Sequence, residues 1–381
     1  MAALARPSRG SRRAAGVTVA RIEGLDALLA RRLDAGERFF AAEAGRIAEL
    51  CRQMAERFAA GGRLLAVASS PQGRSDAHHV AVEFVHPVIV GKRALPALAL
   101  GPDDVATLAA PHDMTIAFDG PRLVVSAGVD WAFEPPSDDP FVRQELEETL
   151  YHVLWELVHV FFDHLGSSTA GAGASGFLYP FLGEQSRDLA AVEEDVRRSV
   201  LMKAEEAAEL RTRTVEGARS ALLAAAVAVR DALDAGSALL AFGNGGSATD
   251  AMDLVADFRA APQGWPARRA LDLTADSAIL TALANDIGPD VLFARQVIAY
   301  GRRGDVAVAL STSGGSSNVI EALAEARTRG LRTIAFVGYD GGRIAAEQLA
   351  DHVVVTPSQH IPRIQEAQAT AYHVLRELVE T

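Results

Sequence analysis

The chain has 381 residues, 37 of them basic and 49 acidic, a formal charge of −12 and 49% hydrophobic residues, which is ordinary globular composition with material for two domains. That acidic balance excludes the basic face a nucleic-acid partner needs, and the longest apolar run, Ala221 to Val229, is too short to cross a membrane. The single cysteine, Cys51, excludes an internal disulfide framework and fits a reducing cytoplasm.

The N-terminal MAALARPSRGSRRAAG carries Arg6, Arg9, Arg12 and Arg13 with no apolar block behind them, so residues 1–22 read as a disordered leader rather than a signal peptide. A helix-period pattern from Glu37 to Ala60 stops at glycine, and GGRLLAVASS from Gly61 reads as a buried strand and its loop. SDAHHVAVEF from Ser75, the strand DMTIAFDG from Asp113 and a helix carrying YHVLWELV to Val158 complete a first unit over 23–165. GSSTAGAGASG from Gly166 has linker composition, and residues 166–186 read as a flexible connection. A second unit, 187–381, repeats the order. It has helical periodicity from Leu189 to Ala235, then GSALLAFGNGG from Gly236, TDAMDLVADF from Thr249, and strands DVAVALS from Asp305, RTIAFVG from Arg332 and DHVVVTP from Asp351. The succession of helix, glycine stop, buried strand, loop and helix predicts an α/β fold: two doubly wound units, each a parallel sheet flanked by helices.

The two units are copies of one design. Gln144-Glu145 and YHVLWELV stand at the same spacing as Gln365-Glu366 and YHVLRELV, and SDAHHVAVEF aligns with TDAMDLVADF. The first copy is shorter on both sides of DMTIAFDG, so it reads as the eroded one.

FGNGGSATDAMDLVADF runs from a predicted strand into a helix. Gly243, Gly245 and Gly246 let backbone amides approach a ligand, and Ser247 sits where a helix N-terminus favours an anion. STSGGSSN, Ser311 to Asn318, forms a second nest of donors between a strand and a helix. Either loop alone could be a plain turn or cap. Two such nests at strand C-termini point to a phosphate-bearing ligand, because that edge of an open α/β sheet is where ligands bind.

GNGGSATDA, ALANDIG, STSGGSSNVIEAL, GYDGG and PRIQEAQATAYHVLREL together resemble the sugar isomerase (SIS) domain of bacterial phosphoheptose isomerases, continuously from about Leu189 to the C-terminus. That resemblance implies isomerisation of sedoheptulose 7-phosphate to an aldoheptose 7-phosphate, with sites between subunits of a tetramer. It implies that Ser247, Ser311, Thr312, Ser313 and Ser316 hold the phosphate, and that Asn244, Asp286 and Gln365 contact sugar hydroxyls. The family carries a His and, four residues on, a Glu after GNGGS, and a Gln and, eight on, a His in the last helix. The Glu and the last His form an acid/base pair, and the quartet can hold a divalent metal such as zinc.

Here the pattern is divided between the copies. The second keeps Gln365 and His373 but has Asp253 and Asp257 at the first two positions. The first has His79, Glu83, Gln144 and His152, the whole quartet, while its loops have become ASSPQGRS and Phe118-Asp119-Gly120. The expectation is a composite site. Copy two binds the phosphate, and the acid/base work falls to Glu83 and His152, with His373 and Asp257 as second-copy candidates. A metal, where bound, is expected on His79, Glu83, Gln144 and His152. Gln144 and His152 are eight residues apart on one helix, so both reach one ion only with long side chains or with ligands from different helices. The other reading is a non-catalytic sugar-phosphate sensor or a protein-interaction module. A homodimer is expected, since two tandem chains reproduce four domains.

Overall fold

The computed structural model describes residues 9–88, 92–165 and 189–381, with side chains from Gly24 to Phe162 and again from Leu189; the linker expected at 166–186 lies outside the described residues. Helix α1 (Arg9–Ala59) begins at Arg9, so residues 9–22, expected within a disordered leader, are helical.

The first half builds a sheet from β1 (Leu64–Val67), β2 (Ala97–Leu100), β3 (Met114–Ala117), β4 (Leu123–Ser126) and β5 (Asp130–Phe133), with α2 (Pro71–Val85), α3 (Pro102–Leu108) and α4 (Pro140–Leu165). The second begins with α5 (Leu189–Gly217) and α6 (Arg219–Asp234). It continues through β6 (Leu239–Phe242), α7 (Gly246–Arg259), β7 (Ala270–Asp272), α8 (Ser277–Asp286) and α9 (Leu292–Tyr300). It closes with β8 (Val306–Ser311), α10 (Ser317–Thr328), β9 (Arg332–Gly338), α11 (Gly342–Ala346), β10 (His352–Thr356) and α12 (Ile361–Glu380).

The strand orders, β2-β1-β3-β4-β5 and β7-β6-β8-β9-β10, correspond one to one. All neighbours in the second sheet are parallel. In the first, β2-β1-β3 is parallel but β3-β4 and β4-β5 are antiparallel. Connection length is the cause. Parallel neighbours need a crossover of about a dozen residues or more. The second half supplies α10 between β8 and β9, whereas the first passes directly from Ala117 to Leu123 and can only turn back.

Neither long helix stays with its own half. Leu25 and Leu29 of α1 pack with Val215, Leu222 and Leu239 in the second core, while Phe39, Phe40 and Ile47 of the same helix pack in the first. Conversely, Val192, Val196 and Val200 of α5 belong to the first core. The boundary at 187 divides the sequence but not the cores. Each such aliphatic side chain contributes roughly 1.5–3 kcal/mol on burial, so the exchanged turns bind the halves together. Between them α2 packs on α7 and α4 on α12, setting the motif helices of both halves face to face.

Candidate active site

Helix α7 starts directly after β6, with Gly245 as N-cap at φ 57°, ψ −127°, a conformation that glycine alone adopts without strain. A Cβ on Gly243 would stand 2.3 Å from the Ser247 carbonyl oxygen, so the loop closes tightly enough to bring its amides together. After β8, the Ser311 hydroxyl accepts from the Gly314 amide at 3.1 Å and the Ser313 hydroxyl from the Gly315 amide at 3.2 Å. Ser316 caps α10 through its backbone conformation alone, which leaves its hydroxyl out of the cap, and Thr312 is half-buried beside it. Asn244 and Asn318 exchange two 2.9 Å amide hydrogen bonds and tie the loops together. Two helix N-termini on adjacent parallel strands thus form one donor-lined crevice. Asn244, Ser247, Ser311, Thr312, Ser313 and Ser316 all lie on these loops. Asp286 does not; it stands exposed at the end of α8, bonded to Asn285 at 2.7 Å.

The first half reaches into this crevice. A Cβ on Gly246 would fall 1.8 Å from Gln365 Nε2 and 3.0 Å from His79 Nε2, so the first turn of α7 is where a histidine of one half meets a glutamine of the other. His79 Nε2 lies 3.1 Å from Gln365 Nε2, 3.3 Å from His152 Nε2 and 3.9 Å from Glu83 Oε1. His152 Nδ1 lies 3.1 Å from Glu366 Oε1, and Arg363 pairs with the same carboxylate.

The quartet that assembles is therefore His79, Glu83, His152 and Gln365, which corrects the expected membership of Gln144. Gln144 Nε2 instead donates to Asp253 Oδ1 at 2.7 Å and Asp76 Oδ2 at 3.1 Å. There it joins a second cluster in which His373 Nε2 stands 3.2 Å from Asp253 Oδ2 and 3.3 Å from Asp257 Oδ2, with Nδ1 3.0 Å from Glu145 Oε1. Each half thus lends a Gln-Glu pair to the other: Gln365-Glu366 to the first half's histidines, Gln144-Glu145 to His373. Pairs eight residues apart do not share a site; the glutamine and histidine come from different helices.

The clusters differ electrostatically. Burial alone would lower the His373 pKa, but hydrogen bonds to Asp253, Asp257 and Glu145 hold it well above the ordinary value. Its imidazolium is fully engaged among carboxylates, so His373 and Asp257 form an internal ion cluster and stand apart from Glu83 and His152. In the first cluster, burial and then the neighbouring His152 push His79 well down, leaving a neutral imidazole. Burial raises Glu83 to about 7, against the pull of His152 and the Gln365 amide. Burial works against ionisation of Glu366 too, yet Arg363 and His152 keep its pKa below the ordinary value.

The counterpart of this crevice in the first half is closed by the chain itself. The Asp119 carboxylate accepts from the Ser69 amide, from the Ser69 hydroxyl at 2.7 Å and from the Ser70 amide at 3.0 Å. An internal anion thus occupies the N-terminus of α2. A cleft of about 270 Å³ remains beside it, bordered by Asp76, Phe141, Gln144 and Asp257.

The first cluster fits a divalent transition-metal ion. Glu83 Oε2, Glu148 Oε1, Asp250 Oδ2 and Gln365 Oε1 are buried without hydrogen-bond partners, and two imidazole nitrogens face each other there. Mixed nitrogen and oxygen donors of this kind suit such ions. Glu366, Glu148 and Asp250 were not anticipated. Glu366 had a signal, the repeated Gln-Glu pair. Glu148 had only its place one turn before His152, and Asp250 only its place in the GNGGSATDA motif.

Known proteins resemble parts of this chain in sequence and the whole of it in fold. The SIS domain family profile matches residues 204–338. Phosphoheptose isomerase of Geobacter sulfurreducens is 47% identical over 154 residues, 39% of this chain and 79% of its own length. The Aquifex aeolicus phosphoheptose isomerase is 44% identical over 179 residues, 46% of this chain and 91% of its own. Among solved structures, the C-terminal domain of glucosamine-fructose-6-phosphate aminotransferase from Francisella tularensis shares the fold alone. Its TM-score is 0.57 at 10% identity, over 92% of this chain and 93% of that one. Because it carries the motif loops on the folded frame and spans more than two thirds of these enzymes, the chain belongs to the phosphoheptose isomerase family of SIS-domain proteins.

Proposed function

We propose that the protein interconverts a ketose phosphate and an aldose phosphate, sedoheptulose 7-phosphate being the first substrate to test, at one site shared by its two halves. The observation that carries this reading is His79 of the first half against the first turn of α7. It sets the histidine–glutamate pair of one copy beside the phosphate nest of the other.

In this reading the phosphate lies on the two helix N-termini, and the sugar carbons extend toward His79, Glu83 and His152. Glu83 takes a proton from the carbon next to the carbonyl, giving an enediol, and returns it to the neighbouring carbon. His152 moves the proton on oxygen. Glu366 fixes the His152 ring by accepting from Nδ1, so that Nε2 faces the site. Asn244 and Gln365 remain as contacts for sugar hydroxyls, and burial of the quartet excludes water from the enediol. A divalent ion on His79, His152, Glu83 and Gln365 would occupy His152 Nε2 and supply Lewis-acid polarisation of the substrate oxygen in place of that proton transfer.

The test is to incubate the purified full chain with sedoheptulose 7-phosphate and follow aldose formation, with ligand stoichiometry read by calorimetry. Turnover with one ligand per chain is expected, since Asp119 fills the other nest. A melting shift without turnover would replace the enzyme reading with that of a sensor. The same reading makes the assembly a homodimer of four SIS units; light scattering at the mass of one chain would overturn that part.

A further inference from the structure

Glu148 lies on α4 one turn before His152 and is 4% exposed. Atoms of His79, Glu148 and His152 all fall within 4.8 Å of one another. Glu148 Oε1 has no hydrogen-bond partner, and among the described residues no lysine or arginine makes an ion pair with Glu83, Glu148 or Asp250. Several buried carboxyl oxygens without hydrogen-bond partners, gathered around two facing imidazoles, form a donor set that a cation would complete. The fold itself does not require an acid there. At the matching position of α12, four residues before His373, the chain has Ala369 in near-identical helical sequence.

We propose that Glu148 is a ligand of a divalent first-row transition-metal ion, together with His79 and His152, adding a carboxylate to the Glu83 and Gln365 donors of the same cluster. The inference rests on reading this cluster as the working centre and deepens it. An added anionic oxygen strengthens binding and makes the site more hospitable to oxygen-preferring ions such as manganese than a site with one carboxylate. A half-turn of the Gln365 amide would bring its unpartnered oxygen to the same side.

The experiment compares the wild-type chain with Glu148→Gln, and with Glu148→Ala, which copies the residue of the second half. Each protein is stripped with a chelator and titrated with zinc and manganese chloride against a chromogenic competitor, and its melting is followed with and without the ion. Expected are one ion per wild-type chain and at least about tenfold weaker binding in both variants. Without metal, the variants should melt no lower than the wild type, because Glu148 Oε1 makes no hydrogen bond that either substitution would remove. Equal affinities would overturn the proposal, as would absence of any ion from the wild type or a marked drop in melting of both metal-free variants. Sugar-phosphate turnover without ion binding would refute this inference alone. Ion binding weakened by the variants, in a chain that never turns over substrate, would refute the enzyme reading and leave Glu148 a ligand.

Discussion

Turnover of the heptose phosphate should fall by about 10²–10⁴-fold in Glu83→Gln, the range that a positioned acid/base group supplies. Glutamine keeps the volume and the hydrogen-bonding reach of the side chain but cannot carry the proton. Burial brings the Glu83 carboxyl to about 7, so near neutrality it is poised to take and return a proton. The loss should fall on kcat, while ligand binding by the loops after β6 and β8 stays near the wild-type value. Progress curves and calorimetry on the same folded variant check both. Unchanged turnover would remove the shared site, because no other carboxylate of that cluster stands at the family's glutamate position.

Arg32→Ala should destabilise the chain by about 3–5 kcal/mol, the typical cost of leaving buried charges without their partner. Arg32 is 1% exposed and pairs with Glu145 of α4 at 2.8 Å and Glu377 of α12 at 2.6 Å. One guanidinium therefore compensates carboxylates from both halves. Glu145 also orients His373 and accepts from Thr370, so its charge cannot easily leave. The measurement is the urea midpoint at constant m-value. A loss below about 1 kcal/mol would mean that water or a neighbouring residue takes over, and that the pair does not hold the halves together.

Local features were legible in the sequence and relations between the halves were not. Buried parallel strands such as DVAVALS read as apolar runs because both faces are covered. The glycines of GNGGS announced a tight strand-to-helix turn, as the conformation of Gly245 bears out. The repeat identified which residues correspond, yet spacing along one chain says nothing of which copy's side chain fills which site. Gln144 and Gln365 were therefore assigned to their own halves, and the structure exchanges them. The antiparallel half of the first sheet was missed, because β4 and β5 were not among the strands expected there. β4 has the same apolar character whichever way it runs, and only the short connection before it decides.

That short connection also fixes what the first half could ever regain. In the second half the Ser311–Ser316 loop exists because the chain must leave the sheet to begin α10. A hairpin has no such departure point and therefore offers no amides for a phosphate to rest on. Point substitution at Asp119 would unplug the α2 terminus but restore only one wall of the crevice. Grafting a serine-rich loop with its following helix would be the smallest change able to give this polypeptide a second working mouth.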